Sequence, residues 1–401
     1  MTARVAAACL LMVIAIAGCP RSETPMITEV PSEQPPAAAP AAPAAPETVV
    51  RVAWLSTMSG GLMLLDPETM EATATGVETA ESGAVSWSKD GSIVATLGPD
   101  WRVRITDLRP DGGPAIGPEA DTQMGGFAVS PDGTRVAVVQ EDGVAVWAGG
   151  STTQVAIPRA CGIPAWSSDG RRLAIGAMGD DESVDGGLWL WDGQGDATQI
   201  VAPAEGWGCT SDVMWSPDGE MLAWSRGAED GWSGDLARAD GSDLRRDVLG
   251  AGPLAWLPDG SGLLVSVHIE AGAFGTGIYR LAGDTISPIG PIGDEDWDSR
   301  AVLSPDGSRV LAWGRPPLTL TVDVATGEAQ PWDDELFVEG AAWAPDGRLA
   351  LLTWRETMEA PPVWLQLYDG AGNAIGSISV EAAHDWCGRW IELPADAAVV
   401  Q

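Results

Sequence analysis

Three features of the sequence predict an all-β fold, and together they specify a β-propeller of four-stranded blades. One is a five-residue phrase that occurs seven times: WSKDG at 87–91, VSPDG at 129–133, WSSDG at 166–170, WSPDG at 215–219, WLPDG at 256–260, LSPDG at 303–307 and WAPDG at 343–347. Another is its spacing of roughly 40 residues, the length of one blade. The third is what lies between the copies: short apolar or alternating runs bounded by Gly, Asp or Pro, with no long helical period after residue 50.

The phrase has a local physical reason. Proline presets φ for a type I turn, and Ser and Asp side chains bond to nearby backbone N–H groups. Glycine then supplies the left-handed step that closes a hairpin with a bulge. Lys89 and Ser168 replace proline in two copies, whereas Gly91, Gly133, Gly170, Gly219, Gly260, Gly307 and Gly347 never vary, as a positive φ requires. The residue opening the phrase is Trp87, Trp166, Trp215, Trp256 or Trp343, with Val129 and Leu303 in the other two copies. A large apolar group there fills the wedge between neighbouring blades.

Each unit then reads as a short strand A ending in the phrase, followed by strands B, C and D. After 166–170 come RLAIGAM (172–178), LWLWDG (188–193) and TQIVAP (198–203). After 215–219 come MLAWSR (221–226), a strand near 234–239 and a polar turn at Asp240-Gly241. At the N-terminal end RVAWLST (51–57), LMLLD (62–66) and EATATGV (71–77) match B, C and D without an A. The missing A is found in DWCGRWIEL at 385–393. Pairing the two ends in one blade closes the ring and removes exposed sheet edges. Eight blades follow. Seven follow instead if 385–393 is only a tail.

The phrase, with an apolar strand B and an apolar strand C ending in Asp-Gly, resembles the WD40-like repeat of the TolB-type β-propellers. Similar blades occur in the propeller of the prolyl oligopeptidase family. The resemblance covers about 50–393 and implies the fold. TolB itself carries an α/β domain ahead of its propeller, where this chain has a leader and a linker. The hydrolase elbow Gly-x-Ser-x-Gly of the oligopeptidases does not occur here. Neither family's activity carries over.

The first residues give an expected address. Arg4 precedes an apolar run from Val5 to Ala17, too short to span a bilayer and right for a signal peptide. It ends Ile16-Ala17-Gly18-Cys19, which resembles the lipobox of bacterial lipoproteins, with Cys19 as the acylated residue. Ordinary secretion, with cleavage after Ala17, is the simpler alternative. The expected division is a signal peptide at 1–18, a lipid-anchored linker at 19–48, a propeller at 49–393 and a tail at 394–401. The linker carries PPAAAPAAPAAP at 35–46 and, as polyproline II at ~3.1 Å per residue, reaches up to ~90 Å. An extracytoplasmic head on a bacterial membrane, periplasmic or at the cell surface, is the resulting expectation.

Charge narrows the partners. The chain has 22 Lys and Arg against 57 Asp and Glu, a formal net charge of −35, so nucleic acid and anionic lipid are disfavoured. Basic peptides, cationic small molecules and divalent metals are the better matches, and a monomer is expected. An acidic surface that only keeps the protein soluble is the competing explanation. With Cys9 in the leader and Cys19 as the anchor, three cysteines remain: Cys161, Cys209 and Cys387. Cys161 and Cys209 lead into strand A of adjacent blades, which makes a disulfide between them the expectation in an oxidising compartment. Cys387 is expected to be unpaired.

Tryptophan is over-used, at 20 against three Phe and two Tyr. Trp54, Trp224, Trp313 and Trp354 in strand B, and Trp101, Trp147, Trp189, Trp191 and Trp364 in strand C, are expected in the core. Four others, Trp207, Trp297, Trp332 and Trp386, fall in or beside the D-to-A connections. There they accompany Glu205, Asp294, Asp296, Asp333 and Asp334. D-to-A and B-to-C loops share one face around the channel mouth. Aromatic faces beside carboxylates suit a cationic group. The expectation is a non-catalytic propeller that binds a protein, peptide or cationic ligand on that face. The alternative is a secreted carbohydrate-active enzyme using carboxylates at the channel mouth.

Motifs for other chemistry are sparse. His268 and His384 are the two histidines, which excludes multi-histidine metal sites, and His384-Asp385 with Cys387 is a weak zinc set. Lys89 is not in a glycine-rich phosphate loop. No cofactor is expected. Calcium at Asp180–Asp185 or Asp294–Asp298 is a further metal option, without EF-hand spacing.

Overall fold

A computed structural model describes residues 48–56, 61–79, 84–109, 112–120, 126–179, 186–203, 208–228, 231–268, 274–289, 300–314, 319–332, 336–354, 363–380 and 389–394. The described residues hold 31 strands and no helix. The strands form eight antiparallel sheets. The eighth blade is composite: Arg389–Pro394 pairs with Thr48–Ser56, which continues to Gly61–Leu65 and Ala72–Glu78. In that closing pair Thr48 stands opposite Pro394 and Val52 opposite Trp390. The chain is an eight-bladed β-propeller, and the seven-blade alternative falls.

The strands are buried on both faces, and period 2 sends alternate residues to opposite neighbours. In blade 3, Leu173 and Ile175 join Val139 and Val146 of blade 2, whereas Ala174 joins Leu222 and Trp224 of blade 4. Eight apolar clusters occupy the eight seams between successive blades in this way. The last seam sets Ile391 and Leu62 of the composite blade against Val94 and Leu108 of blade 1. No blade has a core of its own. Burial therefore depends on neighbours all the way round the ring.

The turn phrase has the expected geometry. Its seven glycines have φ between 68° and 86°. In the copy at 215–219, the Gly219 N–H donates to the Ser216 carbonyl at 2.9 Å. The Ser216 hydroxyl donates to Asp218 at 2.5 Å and accepts the Met221 N–H at 2.9 Å, while Asp218 accepts the Glu220 N–H at 3.0 Å. Ser88, Ser130, Ser167 and Ser304 repeat the arrangement, and all five serines are buried. Leu257 and Ala344 take that buried place in the two copies without serine.

Blade 4 departs from the expected four strands. Thr210–Trp215, Met221–Ala228 and Gly231–Arg238 form its sheet, and a single bridge, Leu236 to Arg245, stands where the outer strand belongs. The cause is charge. Asp235 is fully buried and pairs with Arg226 at 3.1 Å and Arg246 at 3.2 Å, and it accepts the Asp247 N–H at 2.9 Å. A buried carboxylate needs such partners. Holding Arg246 and Asp247 over it replaces a regular ladder.

Two tryptophans also differ from expectation. Trp101 and Trp364 are exposed rather than core. Trp101 sits in the B-to-C turn at φ 61°, before the strand Arg102–Asp107 begins, and Trp364 occupies an exposed position near the start of Val363–Tyr368. Trp54, Trp191, Trp224 and Trp313 are buried.

Candidate functional site

Glu205, Trp207, Asp294, Asp296, Trp297, Asp333, Asp334 and Trp386 lie outside the described residues. So do Cys19, His384, Cys387, the Asp180–Asp185 loop, the Asp294–Asp298 run and the side chain of His268. Of the expected loop-face set, Trp332 is described. Cys161 and Cys209 are joined by a disulfide that ties blade 3 to blade 4 across 48 residues of chain.

Trp332 follows the outer strand Ala329–Pro331 of blade 6, and its N–H donates to the Thr319 carbonyl at 2.9 Å. Its ring packs edge-on to Tyr368 of blade 7, with centroids 5.0 Å apart, and reaches Gly372. The ring contacts with Tyr368 and Gly372 are on the side of the propeller that carries the turn phrases: Tyr368 pairs with Leu349, just after 343–347. The expected direction, toward the channel mouth, is not the one its ring takes. Blade twist brings the outer edge of one sheet beside the C-to-D turn of the next.

Trp332 and Tyr368 form one wall of a cleft of about 550 Å³ between blades 6 and 7. Arg309, Thr321, Asp323, Glu328 and Gln330 line the rest. The Asp323 carboxylate is set by the Ala325 and Thr326 N–H groups at 3.0 and 2.7 Å. Hydrogen bonds from the Thr326 backbone and hydroxyl hold it below the ordinary carboxylate range. Arg309 is occupied elsewhere, stacked 4.9 Å over Trp343 and donating to the Gly370 carbonyl at 2.8 Å. The Thr321 hydroxyl is buried and has no hydrogen-bond partner among the described residues. The cleft therefore combines an aromatic wall and two carboxylates.

A second cleft, of about 510 Å³, lies on the other face at the inner ends of blades 4, 5 and 6. Asp212, Ser225 and Trp232 come from blade 4, Gly252–Leu254 and Ser266 from blade 5, and Arg300 from blade 6. This is the channel mouth, where D-to-A and B-to-C connections emerge. Asp212 accepts from the hydroxyls of Ser211, at 3.1 Å, and of Ser225. Arg300 donates to the Glu339 carbonyl at 3.2 Å.

Sequence reasoning missed two groups here. The first is a set of arginines at the head of strand B, at 135, 172 and 309, each two residues after the turn glycine. They stack on the tryptophan that opens the phrase of the next blade. Their recurrence was the available signal. The second is Asp212 and Arg300, which carry no repeat and no motif, and only the ring brings them together.

The fold defines a class, the eight-bladed β-propellers built from short repeated hairpins. No family model and no curated protein matches the chain. Among solved structures, it resembles a dipeptidyl aminopeptidase IV-like protein from Bacteroides ovatus, with TM-score 0.52 and 11% identity over 81% of this chain and 58% of that one. It resembles a structure described as a eukaryotic initiation factor equally, with TM-score 0.52 and 11% identity over 85% and 98%. An oligogalacturonate lyase in complex with manganese aligns at TM-score 0.48 and 13% identity, over 80% and 97%. The two likenesses at TM-score 0.52 show the fold.

Proposed function

We propose that this chain is an envelope-anchored, non-catalytic binding propeller that captures a basic protein or peptide segment. The lipobox-like Ile16-Ala17-Gly18-Cys19, with the Pro/Ala-rich linker behind it, supports acylation at Cys19 and a head held outside the cytoplasm. The TolB-type repeat resemblance fits the same setting. The observation that carries the binding role is the cleft between blades 6 and 7, where Trp332 and Tyr368 stand beside Asp323 and Glu328. Aromatic faces and carboxylates at one place attract lysine and arginine side chains, and the net charge of −35 steers them there.

The test is capture by the full-length protein of a lysine- and arginine-rich peptide against an acidic peptide of equal length. Capture of the basic peptide should fall with rising salt and weaken at least tenfold in Trp332→Ala with Glu328→Gln. Equal retention by that double variant would reject the cleft. Label from a radioactive fatty acid that persists in Cys19→Ser would reject the anchor.

A further inference from the structure

We propose that the channel-mouth cleft of blades 4, 5 and 6 is a separate site for a neutral carbohydrate, with Trp232 as the stacking platform and Asp212 and Arg300 as the hydroxyl-binding pair. It is independent of the cleft between blades 6 and 7.

The first argument is the backbone of Asp212. In blade 3 the innermost strand carries a bulge between Cys161 and Ala165, and Gly162 sits in it at φ 74°. In blade 4 the same bulge lies between Ser211 and Met214, and Asp212 occupies it at φ 50°. A left-handed step at a residue with a Cβ costs on the order of 1 kcal/mol or more. Glycine meets the same need in the adjacent blade. Asp212 thus holds a carboxylate at the mouth at a cost the backbone does not require. Ser211 and Ser225 fix that carboxylate by their hydroxyls.

The second argument is the chemistry around it. Trp232 is 49% exposed at the start of Gly231–Arg238, so about half of a large apolar ring faces the cleft and solvent. Arg300 spends one nitrogen on the Glu339 carbonyl and pairs with no described carboxylate. The lining therefore supplies one anion, one cation, the Ser266 hydroxyl and an aromatic plate. A ligand of net charge would meet repulsion from one member of the pair. An apolar ligand would strip water from both without replacing their hydrogen bonds. A sugar matches every element: its C–H face stacks on indole, and its hydroxyls donate to the carboxylate and accept from the guanidinium. Small-ligand sites run from ~300 to ~1,000 Å³, and about 510 Å³ lies inside that range. The net charge of −35 disfavours acidic glycans, which leaves neutral ones.

The test is saturation-transfer NMR on the full-length protein with neutral trisaccharides of glucan, mannan, galactan, xylan and chitin, and with a dipeptide series beside them. At least one trisaccharide should receive transfer, and Trp232→Ala should remove it, because that ring is half open and its loss leaves the core intact. Asp212→Gly should weaken binding at least tenfold while its melting temperature stays level or rises, the reverse of a structural role. Silence from all five trisaccharides, a response confined to the dipeptides, or full transfer to both variants would overturn the proposal.

Discussion

The Arg172 guanidinium lies 4.6 Å from the centre of the Trp215 ring and donates to the Gly219 carbonyl at 2.8 Å. One side chain of blade 3 thus grips both ends of the turn phrase of blade 4. The Trp215 indole returns the contact by donating to the Ala165 carbonyl of blade 3 at 2.9 Å. Arg135 over Trp166, Arg309 over Trp343 and Arg348 over Trp390 repeat the stack at other seams. Of 22 basic residues, these four arginines stack on a tryptophan of the following blade.

Arg172→Ala should cost about 1–2 kcal/mol, from a partly exposed cation–π contact and one charged hydrogen bond. Arg172→Lys should recover less than half, since ammonium cannot lie flat on indole while reaching the carbonyl. Urea unfolding midpoints of the two variants measure both effects. An alanine variant as stable as the parent would leave the clamp without energetic meaning.

The ring was legible in the sequence because its causes are local and repeated. Gly219 and its six equivalents need positive φ, and Ser216 and Asp218 close the turn within six residues of chain. Cys161 and Cys209 were readable as neighbours for the same reason, since equivalent points of adjacent repeats are adjacent in space. The candidate site was not legible in this way. Trp332 was placed by its position in the chain, yet twist turns its ring to Tyr368 on the other side. Asp212 and Arg300 share a cleft through three blades of circular stacking, a relation no spacing encodes. The irregular edge of blade 4 arises from Asp235, whose burial is a tertiary property.

Ring closure rests on a strand from the far end of the chain. Trp390 is 5% exposed in the seam between blades 7 and 8 and donates to the Ala342 carbonyl at 2.9 Å. Trp390→Ala should destabilise by roughly 3–5 kcal/mol, the usual cost of emptying a buried aromatic position. Trp101→Ala, at a ring 50% exposed, should stay within about 0.5 kcal/mol of the parent. Similar midpoints for both variants would mean that the closing blade is energetically idle.

The disulfide acts on the unfolded chain. Cys161 and Cys209 are 48 residues apart in sequence, and the chain-entropy account of such a loop is about 4 kcal/mol, with its mechanism disputed. Cys161→Ser with Cys209→Ser should lower the guanidinium midpoint, and reductant should lower the parent to the same value. A parent indifferent to reductant would show that the bond is not formed in the protein as made.

Acid should loosen the turn phrases before it reaches the apolar seams. The Ser304 hydroxyl at 2.7 Å, with the Ser308 N–H and hydroxyl at 3.0 and 2.8 Å, holds the Asp306 carboxyl at about 2, below its ordinary 3.8. Asp169 and Asp218 are lowered likewise, chiefly by the Ser167 and Ser216 hydroxyls. A carboxyl lowered on folding takes up its proton first in the unfolded chain. Its stabilisation is therefore complete above about pH 4 and drains away as pH falls toward about 2. Denaturant midpoints at several pH values should decline through that window, and Asp306→Asn should decline less steeply while starting lower at neutral pH. An identical slope in the variant would remove Asp306 from the acid response and assign it to carboxylates outside the turns.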